Sequence, residues 1–203
     1  MSSARNVTRF WEWGRKIICV GRNYADHAKE LKNAIPTEPV LFLKPPSAYV
    51  KEGSPILVPL YSSNLHHEVE LGIVIGKGGT AIPRTSAMDH VGWLRAVSGH
   101  DSEGHPRRMQ VQSEFIPKEK IPDPGNVRIW LKVNDQLRQD GSTSQMIFSI
   151  PFLISYISEI ITLEEGDLIL TGTPKGVSSV QEQDELQAGI EDIVTMTFRV
   201  GRQ

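Results

Sequence analysis

One cysteine, Cys19, occurs in 203 residues. An intramolecular disulfide is therefore excluded, which fits a reducing compartment. No sign of charge dominates: 22 Lys and Arg stand against 24 Asp and Glu, for a formal net charge of -2. That balance removes the electrostatic argument for nucleic acid or an anionic membrane as partner. No apolar run approaches the roughly 18 residues that a membrane-spanning helix needs. Internal repeats and linkers are also missing. What remains is a hydrophobic fraction of 39% and a mean hydropathy of -0.25, the balance of a globular chain long enough to bury a sizeable core. Residues 1–15 read as a slightly basic N-terminal arm, carrying Arg5, Arg9 and Arg15 against Glu12 alone, with Ser2 and Ser3. That composition faintly matches a mitochondrial transit peptide. Residues 16–203 read as one domain.

Hydrophobic period places the elements. Lys16 to Val20, Val40 to Leu43, Pro55 to Leu60 and His66 to Ile75 read as extended segments, Val40 to Leu43 as a buried strand. Asn23 is placed to cap a short helix from about Tyr24 to Leu31, with Asp26 three residues on. Val127, Ile129, Leu131 and Val133 alternate, and Asn134-Asp135 turns the chain into Gln136 to Gln139. Phe152, Leu153, Tyr156, Ile157 and Ile160 have helical spacing behind Pro151. Asp167 to Leu170 and Val194 to Val200 complete the strands. The expected class is α+β, predominantly β. From Trp93 to Ser113 neither period is visible, and the polar run Ser98 to Arg108 reads as a long loop.

Three groups carry chemistry. In His66-His67-Glu68-Val69-Glu70, strand alternation puts His66, Glu68 and Glu70 on one face. Paired carboxylates suit a hard divalent ion such as Mg²⁺ or Mn²⁺; an acidic, solvated strand face has the same pattern. Neither His66 nor His67 is expected as a direct ligand. His27 and Glu30, spaced i, i+3, suit an imidazole oriented by a carboxylate to deprotonate water, or an inert surface pair. Thr171-Gly172-Thr173-Pro174-Lys175-Gly176 follows a strand, where hydroxyls and N–H groups can hold an anion, or merely form a rigid turn.

Four blocks in this order, Gly21-Arg22-Asn23-Tyr24-Ala25-Asp26-His27, Phe42-Leu43-Lys44-Pro45, His67 to Gly72 and Leu170 to Gly176, are more specific than their parts. Together they resemble the fumarylacetoacetate hydrolase family. The resemblance covers about residues 8–92 and 114–200. It implies the family's mixed β-sandwich roll of the C-terminal-domain type, and a homodimer. It implies a Mg²⁺ or Mn²⁺ site with Glu68 and Glu70 as two of three carboxylate ligands, His27 and Glu30 as a water-activating dyad, and Arg22, Tyr24, Lys44 and Thr173 as contacts to small-molecule keto acids. It further implies acylpyruvate hydrolysis and oxaloacetate decarboxylation, in mitochondria with some cytosolic presence. A dienoate hydratase or isomerase of the same fold, and a non-catalytic dimerisation partner, are the competing expectations.

One segment departs from the family. The resemblance implies a strand after Gly92 that delivers the third carboxylate in a D-M-T-A-R-D motif. Here Gly99 occupies that position, with Asp101 a weak substitute, and the segment is shortened. If Trp93 to Gln110 are encoded by one particular choice of codons, that string read one nucleotide out of phase gives G-Y-A-L-C-L-D-M-T-A-R-D-I-Q-E-E-C, which resembles the segment the family carries. A frameshifted 93–113, restored near Ser113-Glu114, is therefore expected to be disordered or poorly packed and to impair the chain.

Overall fold

The computed structural model describes residues 7–50, 54–58, 60, 64–102, 105–110 and 116–202. Its elements are β1 (Ile17–Gly21), α1 (Ala25–Glu30), β2 (Val40–Lys44), β3 (Tyr49–Val50), β4 (Ile56–Val58), β5 (Leu65–Ile75), β6 (Val91–Ser102), β7 (His105–Gln110), β8 (Ile116–Pro117), β9 (Arg128–Val133), β10 (Gln136–Ser142), α2 (Ile150–Ile160), β11 (Leu168–Leu170), β12 (Ser178–Val180), β13 (Glu185–Ile190) and β14 (Val194–Arg202). Among the described residues the strands form two sheets. One runs β2-β1-β11-β5-β6-β7-β3, with β12 also paired to β5 and β8 to β6; the other runs β10-β9-β13-β14-β4. β1 lies parallel to β11, whereas β5 is antiparallel to both β11 and β6, so the larger sheet is mixed.

Cores on both faces of the larger sheet explain its long apolar runs. The main core joins Val69, Leu71, Ile73 and Leu94 to Ile129, Leu131, Leu186 and the buried side of α2. A second cluster holds Phe10, Ile17, Cys19, Val74, Val97, Leu168 and Leu170. Central strands buried on both sides do not alternate strictly. Phe10, in the expected N-terminal arm, is fully buried in the second cluster. Residues 1–6 of that arm lie outside the described residues.

Three expectations are corrected. First, Trp93 to Ser102 is no loop. It is most of β6, paired with β5 from Leu65↔Ser102 to Ile75↔Val91, and Leu94, Arg95, Ala96 and Val97 are buried. A full-length neighbour satisfies its backbone groups, and that outweighs a local pattern unfavourable to a strand. His105–Gln110 likewise forms β7; the return to frame near Ser113-Glu114 lies outside the described residues. Second, Asn23 does not cap α1. The N-cap is Tyr24, without a side-chain cap bond, because Asn23 is engaged across the core. Third, β2 is an edge strand, and Leu43 is 53% exposed. The helix expected around residues 150–161 is present, but its buried stripe is Ile150, Leu153, Ile154 and Ile157, and Ile160 faces solvent at 60% exposure.

Candidate active site

The loop after β11 is the hub. Thr171 donates from its hydroxyl to the Leu71 carbonyl at 2.9 Å. Gly172 donates its N–H to Glu70 Oε2 at 2.6 Å. Thr173 donates its hydroxyl to the Val69 carbonyl at 2.9 Å. Three successive loop residues are thus fastened to three successive residues of β5. Gly172 sits at φ +100, where a Cβ would meet Asn23 Cβ at 2.9 Å; only glycine turns its amide onto Glu70 without strain. Asn23, fully buried, donates to the carbonyls of Thr171 (2.8 Å) and Phe148 (3.1 Å) and accepts from Phe148 N–H (2.8 Å). It welds the end of β1 to the loop.

The other end of the loop holds the dyad. Glu30 accepts from Gly176 N–H through both carboxylate oxygens, at 3.2 and 3.1 Å. Its Oε2 is 3.4 Å from His27 Nδ1. His27 is 5% exposed. Burial lowers its pKa below the usual 6.5, while the bond and charge of Glu30 pull the other way. A neutral imidazole held through Nδ1 leaves Nε2 as the nitrogen that can accept a proton. Tyr24, just before α1, is buried, and its hydroxyl has no hydrogen-bond partner among the described residues. Burial raises its pKa and the charge of Glu70 adds to the rise, so phenol and carboxylate sense one another.

On β5, Glu70 is buried and Glu68 and His66 are half-buried. His67 points the other way. It is fully buried, with Nδ1 3.0 Å from Gln139 Oε1 and Nε2 2.8 Å from Ser178 Oγ. Burial, its largest influence, lowers its pKa to about 4, so it is a neutral structural histidine. Register pairs Glu70 with Val97, Glu68 with Gly99 and His66 with Asp101. The oxygen chemistry of Glu68 and Glu70 fits a hard divalent cation, but the position across from Glu68 carries no side chain. Among the described residues no three His, Cys, Asp or Glu gather as a metal set. The donors fit in kind and fall short in number.

Arg22 follows β1 in the left-handed region, at φ 56. Lys44 is buried but pairs with Ile17, while Gly21 pairs with Val40. Its backbone therefore lies at the opposite end of β1 from Arg22 and the loop. A cavity of about 340 Å³ opens between α1 and the loop, bordered by Tyr24, Asp26, Asp140 and Lys175. A larger one of about 630 Å³, bordered by Lys118, Ile121 and Met146, touches none of the expected site residues; the chemistry, not the volume, marks the site. Sequence reasoning missed Asn23 as a clamp and Gln139 altogether. Asn23 looked like a helix cap, and Gln139 ended a hairpin strand with no motif around it.

Residues 16–100 and 102–201 match the family described as Fumarylacetoacetate (FAA) hydrolase C-terminal. This chain belongs to that family. The rat protein "Oxaloacetate tautomerase FAHD1, mitochondrial" is 54% identical over 218 aligned positions that cover 100% of this chain and 99% of the relative. That alignment exceeds the chain's 203 residues, so the relative carries residues that this family member lacks. The Dictyostelium discoideum "Oxaloacetate decarboxylase, mitochondrial" is 50% identical over 206 positions, covering 93% of this chain and 94% of that protein. Among solved structures, fumarylpyruvate hydrolase from Pseudomonas aeruginosa, in complex with Mn²⁺ and pyruvate, superposes with a TM-score of 0.85 at 30% identity, over 94% of this chain and 91% of that one. The family fold, largely β with mixed sheets, is thus the fold of this chain.

Proposed function

We propose that this chain is a mitochondrial hydrolase and lyase of small 2-oxo acids, cleaving acylpyruvates to pyruvate and a carboxylate and decarboxylating oxaloacetate to pyruvate. Its relatives are named for tautomerisation and decarboxylation of oxaloacetate, and a structural neighbour for hydrolysis of fumarylpyruvate. Each reaction can proceed through the enol or enolate of a 2-oxo acid. The observation that carries the reading is the Thr171–Gly176 loop, which bonds Glu70 at one end and Glu30 at the other.

In this reading Glu68 and Glu70 hold a Mg²⁺ or Mn²⁺ ion. When bound, the ion supplies Lewis-acid stabilisation of enolate charge. Thr173, Arg22 and Tyr24 contact the keto acid. Neutral His27 accepts a proton at Nε2 from water, while Glu30 fixes the imidazole through Nδ1. The water oxygen bonds to the distal carbonyl carbon. The C–C bond then breaks, its electron pair passes to the pyruvate fragment, and protonation of that enolate at carbon gives pyruvate. The acyl group leaves as a carboxylate. Decarboxylation of oxaloacetate generates the same enolate without the water step.

Two carboxylates hold a divalent ion less well than three, so turnover is impaired by Gly99. We attribute that glycine to a one-nucleotide shift of frame across 93–113. Arg95 supports this: it is 1% exposed, with its guanidinium 4.9 Å from the Phe10 ring and 5.3 Å from Trp11, where the out-of-phase reading puts alanine. The working unit is a homodimer, which sedimentation velocity tests.

The experiment compares the chain with Gly99→Asp. Mn²⁺ and Mg²⁺ affinity is measured by calorimetry, and pyruvate formation from oxaloacetate and from an acylpyruvate by coupled assay. We expect the variant to bind metal at least about tenfold more tightly and to turn over faster. Equal metal affinity would sink the incomplete-ligand reading, and failure of both proteins on every 2-oxo acid would sink the function. Genomic reads across codons 92–114 without a frame change would refute the frameshift.

A further inference from the structure

Gln139 is fully buried and belongs to neither the dyad nor the carboxylate pair. Its amide makes four hydrogen bonds, the full complement of the group. Oε1 accepts from Val69 N–H and pairs with His67 Nδ1, both at 3.0 Å. Nε2 donates to Thr173 Oγ1 at 2.8 Å and to the Pro174 carbonyl at 2.9 Å. Two of these partners are backbone groups of fixed sense: an N–H can only donate and a C=O can only accept. They settle which end of the amide is oxygen. His67 Nδ1 must then carry its proton, and Nε2 accepts from Ser178. Thr173 Oγ1 receives the Gln139 amide and spends its own proton on Val69. Its rotamer is thereby held from two sides.

The bulge that makes this possible lies in β10. Leu137 pairs with Lys132 and Gln139 with Leu131, leaving Arg138 as an extra residue. A bulge re-aims the next side chain; Leu137 is 50% exposed, while Gln139 turns wholly inward. One side chain of the smaller sheet thus reaches both β5 and the Thr173-Pro174 turn.

We propose that Gln139 is a positioning residue for ligand binding, acting through Thr173: it holds that side chain in one rotamer beside the 2-oxo acid. This rests on the reading of Thr173 as a substrate contact.

The test uses the full chain with Gln139→Glu and Gln139→Met. The glutamate keeps the acceptor toward Val69 and His67 and loses only the donor toward Thr173 and Pro174. The methionine serves if the charged variant does not fold. The Thr173 γ-methyl is labelled with ¹³C and its rotamer read from three-bond couplings, without ligand. We expect one rotamer in the parent chain and averaging in the variants; a single unchanged rotamer in a folded variant overturns the proposal. Pyruvate binding in the presence of Mn²⁺ is then measured by calorimetry. The variants should bind about tenfold more weakly, the worth of one hydrogen bond, and the loss should vanish in a Thr173→Val background. Additive losses overturn the role through Thr173. If the parent chain binds no pyruvate, the substrate reading of Thr173 fails and the proposed role in ligand binding falls with it, while the rotamer still shows whether Gln139 positions that hydroxyl.

Discussion

Gly176 donates its backbone N–H to both carboxylate oxygens of Glu30, at 3.2 and 3.1 Å, across 146 residues of sequence. The carboxylate that orients His27 is therefore held by the same loop that bonds Glu70. Dyad and candidate metal site share one support, and a disturbance of the loop reaches both.

Gly176 itself is irreplaceable on geometric grounds. It sits at φ +97, and a Cβ there would run into the carbonyl oxygen of Arg138. Gly176→Ala combines left-handed strain with a backbone clash, for a loss of about 2–4 kcal/mol. Urea denaturation of the variant measures it; an unchanged midpoint would contradict the packing of the loop on β10.

Asn23→Ala removes three buried hydrogen bonds and strands backbone groups of Phe148 and Thr171. The expected cost is about 2–4 kcal/mol. Asn23→Asp should do no better, since a carboxylate cannot donate to the two carbonyls. Thermal melts of both variants check this, and a fully rescued Asp variant would show that the clamp is not read correctly.

His67 makes stability depend on pH. Its folded pKa is lowered from 6.5 to about 4. The unfolded chain therefore binds the proton first on acidification. Stability from this group is intact above the unfolded value, and it is lost as pH falls from 6.5 toward 4, by up to about 3 kcal/mol. Denaturation midpoints across that range should fall, and the slope from this group should be absent in His67→Gln.

Glu30 raises the pKa of His27 against the larger lowering by burial. Glu30→Gln removes the raising influence, so the imidazole pKa drops further. The acid limb of the pH–rate profile for 2-oxo acid turnover should move to lower pH. The plateau should fall by about 10²-fold as the base loses orientation. A limb that moves upward would exclude His27 as the base.

Legibility followed the range of the interactions. The Asn134-Asp135 turn was readable because both residues adopt positive φ, 49 and 62, in a two-residue hairpin, a local preference of those residue types. The long strand through His66 to Ile75 and the helix behind Pro151 were readable from period alone. β13, Glu185–Ile190, was missed because Gln187, Ala188 and Gly189 have little strand character; pairing with both β9 and β14 makes it a strand. Val40 to Leu43 looked buried because nothing in four apolar residues says that a strand will lie at an edge.

The sequence by itself determined the family, the strand face that carries Glu68 and Glu70, and the spacing of His27 and Glu30, since each is written in short blocks of chain whose reading needs no partner from across the fold. Only the tertiary structure decided that Trp93 to Ser102 is a strand, that Asn23 is a clamp and not a cap, and that Gln139 binds Thr173. Each of those outcomes comes from a polar group finding its partner across the fold. A buried donor or acceptor must be satisfied somewhere, and which distant partner satisfies it is settled only when the sheets are packed.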